Sequence, residues 1–366
     1  MRKLLILLSL FFIPSLYSKC SWAYEVTLNG QASVWTALTE KWKTGVRYIP
    51  ELMISHPLAE GKDLDAEISL NSYTWAALDS AEDFGNNAHL KLYRSWLRYS
   101  TAQFEMRLGL QRINFGPAKI LRTLMWFDRL DIRDPLELTD GVYSALMRYC
   151  FLNNANIWGW GLYGNDGLKG SEVFETDKDK LEFGGRFQYP LPQGEIAFSF
   201  NRRFLDREDW NRKSSVLMQN GLENRYALDG NWDIGIGLWF ETSIGEIRIG
   251  GGEKLWQNLL TVGSDYTFEG GIHLLFEHFF QSTNSKIHQF DERNDISALS
   301  LDWRLGIMDE INGIGYYDWH EKKVYYYFGW LRTYDNWQLN LCGFSTREDS
   351  GPFSGQGGQF MLIYNH

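Results

Sequence analysis

Leu181-Glu182-Phe183-Gly184-Gly185-Arg186-Phe187-Gln188-Tyr189, a turn over 190–194, and Glu195-Ile196-Ala197-Phe198-Ser199-Phe200-Asn201-Arg202-Arg203 decide the fold of this chain. On the outgoing segment Leu181, Phe183, Phe187 and Tyr189 share one face, and Glu182, Arg186 and Gln188 share the other. On the return, Ile196, Phe198 and Phe200 oppose Glu195, Ser199, Asn201 and Arg203. A period of two, with one face fit for hydrocarbon and one for water, is the pattern of a β-strand at an interface. In a membrane barrel the oily face points outward and the polar face lines the interior.

The pattern recurs along the chain. Phe104, Met106, Leu108 and Leu110 alternate with Glu105, Arg107, Gly109 and Gln111. Leu299, Leu301, Trp303 and Leu305 alternate with Ala298, Ser300, Asp302 and Arg304. The whole reads as an all-β chain: a transmembrane antiparallel β-barrel of about 18 strands, the first at 24–36 and the last at 358–366. Connections sort by parity. The even ones are tight, as at Thr101-Ala102 and Asn153-Asn154, and Asp229-Gly230-Asn231 reads as another such turn. The longest are odd: 113–140, 165–179, 205–221, 242–256, 281–294 and 346–357. Short turns at one end and long loops at the other are what outer-membrane barrels show.

The ends fit an exported protein. Arg2 and Lys3 precede the apolar run Leu4–Leu16, and Ser21-Trp22-Ala23 offers a cleavage site before Tyr24, so residues 1–23 read as a signal peptide and 24–366 as the barrel. Phe360, Leu362 and Tyr364 alternate with Met361, Ile363 and Asn365. This terminal strand is the segment that an outer-membrane assembly machinery would engage.

Composition narrows the function. Past the leader there is no run of 18 apolar residues, yet 16% of the chain is aromatic. Thirty-six Lys and Arg stand against 46 Asp and Glu, a net charge of −10, which speaks against nucleic acid as a partner. The expected partners are the lipid bilayer, lipopolysaccharide and small hydrophilic solutes, in the outer membrane of a Gram-negative cell. Cys150 and Cys342 read as two separate wall residues rather than a disulfide. No nucleophile elbow, metalloprotease helix or phosphate loop is present, so neither an enzyme nor a cofactor is expected. An adhesin or structural barrel, and an outer-membrane hydrolase, are the other readings of the same architecture.

One stretch breaks the rhythm. From Arg112 to Gly141 the chain is apolar and charged at once, and Pro117 with Ile120, Leu121, Leu124 and Phe127 predicts a short helix. A loop this apolar belongs inside the barrel. There Arg112, Lys119, Arg122, Arg129 and Arg133, interleaved with Asp128 and Asp131, would form a pore constriction. Wall positions read as inward by alternation are Arg94, Arg98, Arg107, Arg148 and Arg186, with Glu277 and Asp302. Arg47, Arg203, Asp233, Glu241 and Asp265 share that parity. Such charges set a field across the lumen, or else pair with one another across strands.

Arg107-Leu108-Gly109-Leu110-Gln111-Arg112-Ile113-Asn114-Phe115-Gly116, followed by the charged loop and Asp140-Gly141-Val142, resembles the Gly-x-Gln-x(4)-Gly strand-to-loop element of alginate-export-like bacterial porins. The resemblance implies an outer-membrane barrel that conducts solutes, uronate polymers in the alginate case. That family's lining is strongly basic and this chain is acidic overall.

Overall fold

A computed structural model describes residues 24–77, 88–213, 221–250, 253–290, 293–346 and 355–366. The expected signal peptide at 1–23 lies outside these residues. Eighteen strands form: β1 (Glu25–Leu38), β2 (Trp42–Ala59), β3 (Lys62–Ala77), β4 (His89–Thr101), β5 (Phe104–Gln111), β6 (Val142–Cys150), β7 (Asn156–Leu162), β8 (Glu182–Leu191), β9 (Gly194–Leu205), β10 (Gly221–Asp233), β11 (Gly237–Gly250), β12 (Glu253–Thr267), β13 (Ile272–Asn284), β14 (Arg293–Leu305), β15 (Asp309–Asp318), β16 (Lys323–Thr333), β17 (Trp337–Ser345) and β18 (Gln356–Asn365). Neighbours in the sheet follow chain order, and β1 pairs antiparallel with both β2 and β18. The sheet is therefore a closed antiparallel barrel, which leaves no open edge to recruit another chain.

Alternation places the side chains as the sequence predicts. Phe183, Phe198 and Leu299 are 40%, 50% and 54% exposed on the lipid-facing side. Arg186, Ser199, Asn201 and Arg203 are buried on the opposite side. Cys150 is exposed and Cys342 buried, and the two do not form a disulfide with each other.

Three expectations need correction. No helix forms over 113–140; the described helix, α1, is Arg207–Lys213. The stretch 242–256 is mostly strand, because Ile244, Glu246 and Arg248 keep alternating with Gly245, Ile247 and Ile249 as far as Gly250. Asp229-Gly230-Asn231 is not a turn. It lies within β10, where the missing side chain of Gly230 makes room for the Trp232 ring.

The strands group into two compact units. The first takes residues up to Tyr99 with Arg304–Asn312 and Tyr327–His366. Here the closing seam is tied by paired backbone bonds between Gly30 and His366, both 3.0 Å. Arg98 donates to Asp65 at 2.7 and 2.9 Å, Arg47 lies over the Tyr73 ring at 4.7 Å, and Arg94 lies over Tyr93 at 4.0 Å. The second unit, Ser100–Trp303 with Gly313–Tyr326, holds the connections 112–141 and 163–181 and a hydrophobic core on the inner side of its strands.

Candidate functional site

The loop 112–141 leaves β5 at Gln111, which is fully buried and donates through Nε2 to the carbonyls of Arg107 and Ser144, both at 3.1 Å. Gly116 then turns the chain with φ +95°, and a Cβ there would overlap the Glu241 carboxylate. Beyond it, inner-wall carboxylates collect the loop's peptide groups. Glu241 on β11 accepts the N–H of Ala118 at 2.8 Å and of Leu124 at 2.9 Å. Glu277 on β13 accepts those of Lys119, Ile120 and Leu121 at 2.7, 2.9 and 2.6 Å, and also the Trp239 indole N–H at 3.0 Å. Thr261 on β12 donates to the Leu121 carbonyl at 2.5 Å.

This explains the missing helix. Nucleating a turn of helix fixes several residues for one hydrogen bond. A buried carboxylate offers the same N–H groups stronger, charge-assisted bonds. Pro117 still starts the segment, but its amides point at the wall.

The other side of the loop is aromatic. Ile113, Phe115, Leu124, Trp126 and Phe127 pack with Val142, Leu146, Trp160, Leu162 and Ala227 from the wall. Phe115 stacks on Trp160 at 5.6 Å and meets Trp126 edge-on at 5.5 Å. Ile120 packs instead beside Ala118, Trp239 and Leu275. The loop is thus held from two sides by different forces.

Its charges divide into spent and exposed. Asp128 is buried between Arg112 at 3.4 Å and Arg122 at 3.5 Å, and Arg122 also donates to Asn114. Arg133 grips Asp131 with two side-chain bonds, 2.7 and 2.8 Å. Arg129 donates to the Gly170 carbonyl at 2.5 Å. Of the five candidate cations, Lys119 and Arg129 are the residues left exposed.

A second loop, 163–181, was expected as the long connection 165–179, but its packing on the first was not. It seats on the first where Ser171 donates its N–H to the Met125 carbonyl at 2.9 Å. The chains approach so closely that a Cβ on Gly170, at φ +47°, would overlap that carbonyl. Below it lies a buried ion network. Glu172 meets Arg203 at 3.2 Å, Arg225 at 3.3 Å and Lys169 at 3.4 Å; Lys169 reaches Glu182 at 3.1 Å. Glu223 joins Arg203 at 2.5 Å to Arg225 at 2.9 Å. Arg186 holds Asp229 at 2.6 and 2.8 Å and lies 5.2 Å from the Phe115 ring. Four cations face four carboxylates. The arginine excess read along these strands is balanced by acids from β8, β10 and the second loop. Glu223, Arg225 and Asp229 stand at positions of one parity in the sequence, a signal that the inward face of β10 carried and the sequence reading did not use.

A third loop caps the second. Asp206 receives the Asp209 N–H at 2.7 Å and starts α1, whose Trp210 packs at 4.2 Å on Phe174. Asp209 accepts the Glu175 N–H at 3.0 Å, with Arg212 at 2.7 Å and Lys213 at 2.8 Å. Burial works to raise its pKa, but the hydrogen bonds from Lys213, Glu175 and Arg212 prevail and lower it to about 2.

The remaining predicted wall residues have partners of their own on the wall. Arg107 pairs with Glu105 at 3.2 Å, Arg148 lies 3.9 Å over the Trp158 ring, and Asp302 accepts from Ser300 at 3.2 Å. Arg94 and Arg98 belong to the first unit, with the partners given above. No cluster of metal ligands occurs among the described residues.

No protein-family model matches the sequence, and no curated protein matches it. Solved structures do. An anion-selective porin from Comamonas acidovorans superposes with TM-score 0.52 at 12% identity, covering 94% of this chain and 100% of the porin. OccD3 of Pseudomonas aeruginosa gives 0.58 at 10% identity, over 93% and 90% of the two chains. The outer-membrane channel DcaP of Acinetobacter baumannii gives 0.54 at 9%, over 97% and 100%. Identities this low speak to the fold alone: the chain is built as outer-membrane porins are.

Proposed function

We propose that this protein is a passive channel of the Gram-negative outer membrane, and that the 112–141 loop is its constriction. The observation that carries the reading is the double anchorage of that loop, on Glu241 and Glu277 at one side and on the aromatic core at the other. A lid over a barrel mouth has no need of buried carboxylates reaching for its backbone.

Lys119 and Arg129 act in this reading as the charges that a passing solute meets. Unscreened over roughly 8–10 Å, they favour small organic acids or acidic saccharides. Arg112, Arg122, Arg133, Asp128 and Asp131 shape the loop rather than select, and Glu277 holds it. Arg94, Arg98, Arg107, Arg148, Arg186 and Asp302 contribute to the wall. Kinship with alginate-export-like porins is part of the proposal and rests on the Gly109, Gln111 and Gly116 element, which here delivers the chain into the interior. β18 is the strand that the assembly machinery would engage.

Reconstitution of the full-length protein in a planar bilayer, with swelling of liposomes in sugars and organic acids, tests the reading. Stable conductance and faster swelling with organic acids are expected. A sealed barrel in both assays overturns it.

A further inference from the structure

The outer face of β9–β12 carries charge where its neighbours carry apolar side chains. Arg203, Glu223 and Ile247 face inward, so by alternation Arg202, Asn224, Glu246 and Arg248 face out, and Lys254 sits opposite Arg248 on the same face. These residues form one cluster. Arg202 donates to Asn224 at 2.8 Å, and Asn224 to Glu246 at 3.4 Å. Arg248 and Lys254 reach Glu246 at 2.8 and 2.6 Å. Two cations thus grip the one acid of the cluster, and a third, Arg202, joins it through Asn224. Glu246 is nearly buried, whereas the Arg248 and Lys254 side chains are 48% and 44% exposed.

Position makes this informative. One step along each strand, the same face turns apolar: Phe200 against Tyr226 at 5.3 Å, then Ile244, with Phe198 and Leu228 beyond. The cluster lies at the other side of that band, close to where β9 runs into the loop holding α1 and where β10 begins. Trp256 lies beside it, 5.9 Å from the Lys254 ammonium, in the amphipathic role that indole rings take at a membrane boundary. A cluster with surplus positive charge, facing away from the interior and bordering hydrocarbon, meets neither the solute path nor bulk cytosolic anions. It meets lipid headgroups.

We infer that Arg202, Arg248 and Lys254 form a docking site for a phosphate-bearing glycolipid of the outer leaflet, with the phosphate received by Arg248 and Lys254 and the acyl chains lying along Phe200, Tyr226 and Phe198. Charge complementarity selects the occupant: a zwitterionic headgroup brings its own cation, and a phosphorylated saccharide does not. The inference rests on the outer-membrane placement proposed above, but not on conduction.

The test uses the full-length protein, folded in detergent, delipidated and titrated with diphosphoryl lipid A under native mass spectrometry. Arg248→Ala with Lys254→Ala should weaken binding about tenfold or more. A dephosphorylated lipid A should bind the native protein and the variant equally. Shifted mobility on unheated gels verifies that the variant has folded, and Arg202→Ala supplies a second readout if it has not. Equal binding of diphosphoryl lipid A by native protein and variant overturns the site. So does its displacement by inorganic phosphate at matched concentration, which would make the patch a free-anion site. Bilayer conductance recorded on the same samples reports separately on the channel, so a silent barrel that still binds lipid A refutes only the function proposed above.

Discussion

Glu277 receives the peptide N–H of Leu121 at 2.6 Å, and this bond joins the barrel wall to the middle of the inserted loop. Two further amides share the carboxylate. Glu277→Ala would leave four donors unpaired, these three amides and the Trp239 indole N–H, each at a cost of about 1–3 kcal/mol if it stays dry. The loop should then leave its seat intermittently. Single-channel records should change from steady to flickering, and protease should cut between 118 and 124. A trace matching the native protein's would show that Glu241 and the aromatic core suffice.

Removal of residues 118–136 should raise single-channel conductance. Lys119→Glu with Arg129→Glu should move the reversal potential in a salt gradient toward cation preference. Arg122→Glu should act differently, because it places a second acid beside Asp128 and disturbs the loop instead of its exposed charge. Unchanged conductance on deletion would place the constriction elsewhere.

Cysteine substitution tests the strand register. Phe187→Cys, Phe198→Cys and Leu299→Cys should be labelled by maleimides that partition into lipid, in a Cys150→Ser background, and should resist charged thiol reagents. Labelling of Leu299→Cys from the aqueous side alone would mean that β14 is out of register.

Arg225→Met leaves Glu172 and Glu223 with one fewer partner in a buried network. Breaking such a pair costs about 3–5 kcal/mol. The variant should unfold at distinctly lower urea concentration, with the lipid-facing strands unaffected in their labelling pattern.

Asp209 gives a pH dependence with a definite sign. Its folded pKa, about 2, lies below the ordinary carboxylate value near 4. Its contribution is therefore complete above pH of about 4, declines as pH falls, and is gone below about 2. Protection of the Glu175 amide from hydrogen exchange should follow that curve. Asp209→Asn should flatten it.

The barrel was legible because alternation is a local property: each pair of neighbours, such as Arg186 and Phe187, states its own face. Loop anchorage was not, because it depends on partners more than 100 residues away. Glu241 and Glu277 look like any inward acid until the amides of 118–124 reach them. Propensity over 117–127 pointed to a helix for the same reason, since it weighs only bonds within the segment. The second loop offered still less. Lys169, Glu172 and Glu175 lie in what the sequence shows only as a long connection, and nothing in their spacing announces Arg203 and Arg225.

Gly170 rests against the Met125 carbonyl, and Asp209 in turn holds the Glu175 amide. Each loop is therefore the floor on which the next is laid. The seat for 163–181 is shared between the wall arginines and 112–141, and the seat for α1 between the wall and 163–181, so each is complete only when the loop beneath is in place. A lesion in the first loop should unseat all three, whereas one in α1 should leave the two beneath it undisturbed.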